Sequence, residues 1–401
     1  MKIYLESYGC TLNKSETGLY ANKLLTEGAV ITQNPDEADL RLIGTCVVIQ
    51  HTEDRMLRRI AELSEKGKVQ VMGCLSSVSA GSIESENIKL IGKSEFRSFY
   101  KGLLDDIEIR NASIFDGIPI NQGCTGSCNF CISRVARGSL ISRPIEKIKG
   151  QARIQLDHGI KEIRLSSLDS ASYGKDLGTS LDHLIEAVSS IQGNFRIRVG
   201  MMEPGNTGQI LPGLLRAYSS DKVYKFLHLP VQSGDDRILD AMNRGYHVNA
   251  FDSIVREYRT RFKDSTLSTD IITGYYGESE ESFENTIKII ERTEPEIINI
   301  TRFSPRPYTP DYNKKTPPTN DVKRWTSYIS KLHHEIAGKK MEMQVGKFRK
   351  IFITEHGRNE TSVGRDQAYR PVVVPGRHDL YSFVDCEIVD FTDTYAIAKT
   401  V

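Results

Sequence analysis

Three short apolar runs near the start of the chain, Ile3–Glu6, Leu40–Gly44 and Val69–Met72, have the length and side-chain type of buried strands. The first two are followed by apolar residues at helical spacing, near Ser15–Glu27 and Thr52–Lys66, so amphipathic helices are expected there. Further on, strand patterns at Glu162–Leu165, Arg196–Val199, Phe226–Leu229, Ser268–Ile272 and Ile297–Phe303 alternate with helical patterns such as Leu181–Ile191, Ala250–Phe262 and Glu280–Arg292. Repeated βα units of this length predict a full or partial parallel barrel. A Pro-rich stretch, Ser304–Pro318, leads into a helix at Asp321–Glu342. The helical period then stops. Short β-type runs follow at Phe348–Thr354, Thr361–Val363, Tyr369–Val374, Phe383–Val389 and Ala396–Lys399, which predicts a small five-stranded barrel. The expected fold is therefore α/β with three parts: an open parallel α/β sheet in residues 1–110, a partial (β/α) barrel in 111–340, and a small all-β barrel in 341–401.

A chain of 401 residues is long enough for these domains and for sizeable cores. Its net charge of +1 names no partner. Charge is uneven, however: residues 301–377 hold about 16 Lys and Arg against about 7 Asp and Glu, roughly +9. Such a segment fits a polyanion such as RNA, or simply a solvated basic face. No apolar run approaches the length of a membrane span, and the first residues lack the apolar core of a signal peptide, so a cytoplasmic protein without membrane contact is expected. In a reducing compartment, spaced cysteines are more often ligands or catalytic thiols than disulfides.

Six of the seven cysteines form two sets of three. Cys10, Cys46 and Cys74 each follow a predicted strand and a small residue. The crevice beyond the carboxyl ends of a parallel sheet is where ligands bind, so the three could converge. They could also be buried core cysteines. Cys124, Cys128 and Cys131 form a compact CxxxCxxC loop, which Gly123 and Gly126 allow to curl. Three thiolates on an iron–sulfur cluster leave one iron open to another molecule. A zinc site with a distant fourth ligand is the other reading, although the paired CxxC knuckles usual for zinc do not occur. Polar residues gather past several central strands: Asp169, Glu203, Gln232, and Asp270 within its strand. In barrels of this kind the active site forms at the C-terminal strand ends. Cys386, within a β-type run, reads as a core cysteine.

Cys124-x3-Cys128-x-Phe130-Cys131 resembles the signature of the radical S-adenosylmethionine (SAM) enzymes. Gly9-Cys10-x2-Asn13-x-Ser15-Glu16, Ala38-Asp39-Leu40 through Thr45-Cys46, and Gly73-Cys74-Leu75 resemble the N-terminal motifs of the methylthiotransferases in that superfamily. Arg137-Gly138, Ser142-Arg143, Tyr173-Gly174-x-Asp176, Glu203-Pro204, the run from His228 to Gly234, Met242-x-Arg244 and the run from Asp270 to Gly274 match further family positions. Pro305-Arg306-Pro307 does too, and the terminal barrel is similar to the RNA-binding TRAM domain. The run Tyr224–Gln232 looks most like the archaeal and eukaryotic branch.

This resemblance implies an enzyme with two [4Fe–4S] clusters and SAM. Cys124, Cys128 and Cys131 would hold the cluster whose open iron chelates SAM, and Cys10, Cys46 and Cys74 the auxiliary cluster. Phe130 would lie near the adenine, and Asp169, Glu203, Gln232, Arg244 and Asp270 would be cofactor-pocket residues. No catalytic residue is implied beyond the cluster ligands. In the family one SAM methylates sulfur at the auxiliary cluster, and a second gives the radical that removes hydrogen from an unactivated carbon. The implied substrate is N6-threonylcarbamoyladenosine in the tRNA anticodon arm, with electrons from a low-potential donor such as ferredoxin or flavodoxin. Sister enzymes act on isopentenyladenosine of tRNA or on an aspartate of a ribosomal protein. A non-enzymatic, zinc-containing RNA-binding protein is the reading from another class. The basic stretch 301–377 favours RNA, while Asp385, Glu387, Asp390 and Asp393 near the end weaken that argument. The chain departs from the family pattern at Gly44 (usually Asn), Tyr276 (usually Pro) and Tyr308 (usually Gly).

Overall fold

The structure is a computed structural model, and it describes all residues except 79–82, 84, 103–107, 109 and 112–113. The chain divides into two compact units: Met1–Ile191 with Ser304–Lys314, and Gln192–Phe303 with Lys315–Val401.

The first unit opens with β1 (Lys2–Ser7), α1 (Thr11–Thr26), β2 (Val30–Thr32), β3 (Leu40–Thr45), α2 (Gln50–Glu65), β4 (Val69–Gly73), α3 (Leu75–Val78), β5 (Ile88–Leu90) and α4 (Lys93–Gly102). The strands form one parallel sheet in the order β2-β1-β3-β4-β5. The alternation expected of strands is present. Leu42 and Met72 point into one core with Ile3 and Leu19, while the adjacent Ile43 and Val71 join the other core with Met56, Ile60 and Leu63. Each such fully buried aliphatic side chain contributes about 1.5–3 kcal/mol. Chain order reverses between β1 and β3, so the crevice at their carboxyl ends is the topological switch point.

Helix α1 differs from expectation. It is buried nearly all round, including Asn13, Ser15, Glu16 and Thr17, and not on one stripe. The segment before β6 (Ile118–Pro119) covers its second face: a Cβ on Gly18 would stand 2.6 Å from the Ile114 carbonyl oxygen. The rest of the unit is β7 (Asn121–Gln122), α5 (Ile132–Arg137), β8 (Ile141–Ser142), α6 (Ile145–Asp157), β9 (Glu162–Ser166) and α7 (Leu181–Ser189). The stretch leading to Cys124 is two short strands: β6 pairs with β9, and β7 pairs with β8.

The second unit holds β10 (Arg196–Val199), α8 (Pro204–Ala217), β11 (Phe226–His228), α9 (Asp236–Ala241), α10 (Val248–Arg261), β12 (Thr266–Thr273), α11 (Glu280–Thr293), β13 (Ile297–Arg302) and α12 (Thr319–Glu342). Strands β11, β12 and β13 are parallel neighbours, with Phe226 opposite Thr266 and Ser268 opposite Ile297. Ser279 caps α11 by accepting from the Ser282 N–H, and Glu280 and Glu281 favour the same helix end. Trp325 of α12 stacks on Phe283 of α11 and donates to Glu280 Oε2 at 2.9 Å. The five last strands, β14 (Phe348–His356), β15 (Thr361–Arg365), β16 (Pro371–Pro375), β17 (Phe383–Phe391) and β18 (Ala396–Thr400), close into a barrel. Its core is Ile351, Ile353, Val372, Val374, Ile388 and their neighbours, and Cys386 lies within it.

Among the described residues no helix is long and apolar enough to cross a membrane.

Candidate functional site

β1, β3 and β4 end level with one another: Ser7 lies opposite Gly44, and Thr45 opposite Gly73. The three cysteines that follow therefore emerge at one end of the sheet. Gly9 has a left-handed backbone (φ +90°), and a Cβ there would stand 2.8 Å from Cys46 Cβ. Only glycine lets the loop carrying Cys10 approach Cys46 this closely. Gly73 (φ +101°) is equally confined, with Asn13 Oδ1 2.6 Å from the position of its absent Cβ. The Cys74 N–H donates to the Thr45 carbonyl at 3.0 Å. Cys10 is exposed, Cys46 half-buried and Cys74 buried. The core-cysteine reading thus fails for two of the three. Although Cys10 keeps an open face, the protein around its thiol pushes it up to about 11, and Cys74 adds to this. Burial raises the Cys46 thiol too. A metal bound here would have to displace those protons.

Below these thiols lies a buried pair, Glu16 of α1 and Arg137 of α5. Arg137 Nη2 also donates to Asn13 Oδ1 at 2.7 Å, and Asn13 Nδ2 to the Tyr8 carbonyl at 2.6 Å.

The CxxxCxxC loop lies in the same unit. Its Gly126 N–H donates to Cys124 Sγ at 3.2 Å, and the Cys131 N–H to the Cys128 carbonyl at 3.2 Å. A Cβ on Gly126 would stand 3.4 Å from Cys124 Sγ and 3.7 Å from Cys128 Sγ, so the glycine leaves a bare floor between two thiols. Gly123 (φ +76°) passes so close to Ser139 that no side chain would fit. The Cys124 N–H donates to the Gly138 carbonyl at 3.2 Å, and Arg134 Nε to the Gly126 carbonyl at 2.8 Å. From the returning segment, the Asp311 N–H reaches the Asn129 carbonyl at 3.4 Å. That segment is anchored by Arg306, buried and ion-paired with Glu53 of α2. All three cysteines and Phe130 are half-buried. Burial pushes the Cys124 thiol up to about 12, and Asp169 and the two other thiols add to it.

Three thiols, glycine floors and half-open loops fit a cluster ligand set at each site. Among the described residues, no three His, Cys, Asp or Glu side chains stand where they could close on a single metal ion.

Several motif residues act as braces. Asp169 is buried and caps the turn at Ser170–Ser172 by accepting from the Ala171 N–H at 3.1 Å. Arg143, fully buried, donates to the Pro119 carbonyl and to Gln151 Oε1. The Ser142 N–H donates to Asp176 Oδ2 at 2.8 Å, and Tyr173 Oη to the Arg143 carbonyl at 2.7 Å.

In the second unit, Asp270 of β12 accepts from Asn299 Nδ2 at 2.7 Å and lies 3.0 Å from His228 Nε2. Burial opposes its ionisation, but His228 and Asn299 hold its carboxyl below the usual carboxylate range. Arg244 lies near enough to lower it further, and packs over Tyr246. Gln232 has φ +68° and is pinned by its backbone between the Asp270 carbonyl (2.8 Å) and the Ile272 N–H (2.9 Å). A non-glycine residue in this region signals a constrained site. Glu203 caps α8 through the Asn206 N–H at 2.7 Å. Sequence reasoning missed Asn299 as a partner of Asp270. The available signal was a polar residue in an otherwise apolar strand.

Glu278 closes the loop after β12, accepting from the Gly274 and Tyr275 N–H groups. Burial nevertheless pushes its carboxyl up to about 7. The folded state then holds this proton more tightly than the unfolded state. The associated stability is complete below the ordinary carboxyl range and is lost as pH rises through about 7. Glu278→Gln keeps an acceptor and removes the charge. It should gain on the order of 2–3 kcal/mol over the parent at pH 8, and little at pH 4. Thermal midpoints of both proteins across that range test this; parallel curves would refute it.

Comparison with known proteins bears on these motifs. A family model for the radical SAM superfamily matches residues 118–290, one described as "Uncharacterized protein family UPF0004" matches 2–91, and one for the TRAM domain matches 342–401. A probable threonylcarbamoyladenosine tRNA methylthiotransferase of Methanocaldococcus jannaschii is 37% identical, spanning 90% of this chain and 89% of that one. One from Pyrococcus abyssi is 35% identical over the whole of both chains. The Homo sapiens threonylcarbamoyladenosine tRNA methylthiotransferase is 30% identical over 93% of this chain and 69% of its own. Among solved structures, the radical SAM methyltransferase TsrM from Kitasatospora setae, with cobalamin and a [4Fe-4S] cluster bound, shares the fold. Its TM-score is 0.57 at 13% identity, over 78% of this chain and 77% of that one. Identity at this level along nearly the full length, together with both cysteine sets, means that the chain belongs to the radical SAM methylthiotransferase family, enzymes that work with two [4Fe–4S] clusters and SAM.

Proposed function

We propose that this enzyme adds a methylthio group to C2 of N6-threonylcarbamoyladenosine at position 37 of tRNA, beside the anticodon. The observation that carries this reading is similarity, over nearly the whole of this chain, to archaeal and eukaryotic relatives named threonylcarbamoyladenosine tRNA methylthiotransferase. The domains are residues 1–110 for the auxiliary site, 111–340 for the radical SAM part and 341–401 for the TRAM barrel. The TRAM barrel and the basic stretch 301–377 supply phosphate contacts to the anticodon arm. A low-potential carrier such as ferredoxin or flavodoxin delivers the electrons.

Cys124, Cys128 and Cys131 hold one [4Fe–4S] cluster, and Cys10, Cys46 and Cys74 the other. When bound, these clusters supply the electron that cleaves SAM and the site from which sulfur is delivered. The chain's own residues orient the reactants. Phe130 offers an apolar face to the adenine. Asp270, kept ionised by its neighbours, accepts hydrogen bonds from a hydroxyl or ammonium group. Gln232 and Arg244 add polar contacts beside it, Glu203 caps the start of α8, and Asp169 caps the turn at Ser170–Ser172.

Nucleoside mass spectrometry of tRNA tests the reading. Cells lacking the protein should lose the methylthio form of N6-threonylcarbamoyladenosine and regain it with the wild-type gene. Loss of methylthio-isopentenyladenosine, or of a modified ribosomal-protein aspartate, would replace this substrate with a sister one.

A further inference from the structure

The Arg137-Gly138 dipeptide touches both cysteine sites. Its backbone serves the CxxxCxxC loop: the Gly138 carbonyl accepts from the Cys124 N–H at 3.2 Å, and Gly138 is left-handed (φ +79°) to present it. Its side chain serves the other site. The Arg137 guanidinium is 3% exposed, pairs with Glu16, and donates to Asn13 Oδ1 at 2.7 Å. Asn13 in turn fills the space beside Gly73, the residue before Cys74. Cys74 and Cys10 both lie near enough for their negative charge to stabilise the cation. Among the described residues Arg137 Nε has no hydrogen-bond partner, and neither has Glu16 Oε1. A buried arginine paired on one edge only keeps unsatisfied donor capacity beside two thiols.

We propose that Arg137 is a positioning residue shared by the two cysteine sites, its guanidinium setting the local charge beside Cys74 and holding Asn13 against Gly73 while the adjoining carbonyl fixes Cys124. The proposal rests on the assignment of Cys10, Cys46 and Cys74 as ligands of a second cluster. Hydrogen bonds to sulfur and net local charge set the reduction potential of such a cluster. A nearby cation favours the reduced form, which carries one more negative charge. Glu16 works against it.

The test uses the full chain with the Cys124/Cys128/Cys131→Ala background, so that any remaining cluster is the auxiliary one. Midpoint potentials are read by redox titration followed by electron paramagnetic resonance. Glu16→Gln, which leaves the cation uncompensated, should shift the potential upward. Arg137→Gln combined with Glu16→Gln, which removes both buried charges, should shift it downward. Arg137→Lys keeps the charge but not the fork, and should fall between the double variant and the parent. Shifts of opposite sign are outside the reach of a merely structural brace, which would lose iron from both variants alike. Unmoved potentials with undiminished iron would overturn the proposal. So would an equal loss of iron in the Glu16→Gln and double variants. No iron at all in the triple-alanine background itself would instead overturn the two-cluster assignment on which the proposal stands.

Discussion

Replacing Cys124, Cys128 and Cys131 together by alanine should abolish methylthio transfer and leave the protein with about four of its roughly eight irons. The three thiols are confined to eight residues, on a loop whose backbone is tied to Gly138 and Arg134. The auxiliary thiols end separate strands of a sheet whose two cores include none of residues 123–131. The remaining iron should therefore stay bound. The reciprocal variant, Cys10/Cys46/Cys74→Ala, should retain SAM cleavage yet transfer no methylthio group. Iron and labile-sulfide analysis after anaerobic reconstitution decides the matter. A triple variant that keeps all its iron, or loses all of it, would contradict two independent sites.

The second large effect is expected at Gly44, where the family usually carries Asn. A Cβ at Gly44 would collide with the Thr17 hydroxyl and lie 3.0 Å from Ser7 Oγ. Thr17 is fully buried on α1 and donates to the Asn13 carbonyl at 2.7 Å. In this chain Thr17 of the helix occupies the space that a side chain at Gly44 would need. Gly44→Asn alone should cost about 3 kcal/mol or more and disturb Cys46, two residues on. Combined with Thr17→Gly, the cost should fall by at least about 1 kcal/mol, a coupling readable in a double-mutant cycle. Additive losses would mean that the space is not shared.

The cysteines were legible in the sequence because each strand pattern runs into one, and because the triad lies within a single loop. The core strands were legible for a related reason: Leu42-Ile43 and Val71-Met72 send alternate side chains into the two cores. The polar residues of α1 were not. Asn13, Ser15, Glu16 and Thr17 break any apolar stripe, yet all are buried, because a second layer of chain covers the helix. Their partners come from far along the sequence, such as Arg137 for Glu16 and Ser166 for Ser15. Strands β2 and β5, three residues each, owe their place to hydrogen bonds with longer neighbours and not to their own pattern. Asp270 was legible as a polar residue within a strand, but the hydrogen bond that holds it comes from Asn299 on the neighbouring strand.

The return of Ser304–Lys314 to the cysteine-bearing unit carries a consequence for biosynthesis. Arg306 and Asp311, which steady α2 and the triad loop, are made more than a hundred residues after Ile191. At roughly 5–20 residues per second, the ribosome needs on the order of 6–25 s to cover that interval. During that time the loop has its cysteines but lacks its final clasp. Cluster delivery that waits for residue 314 meets a finished receptacle, whereas earlier delivery meets one still open on one side.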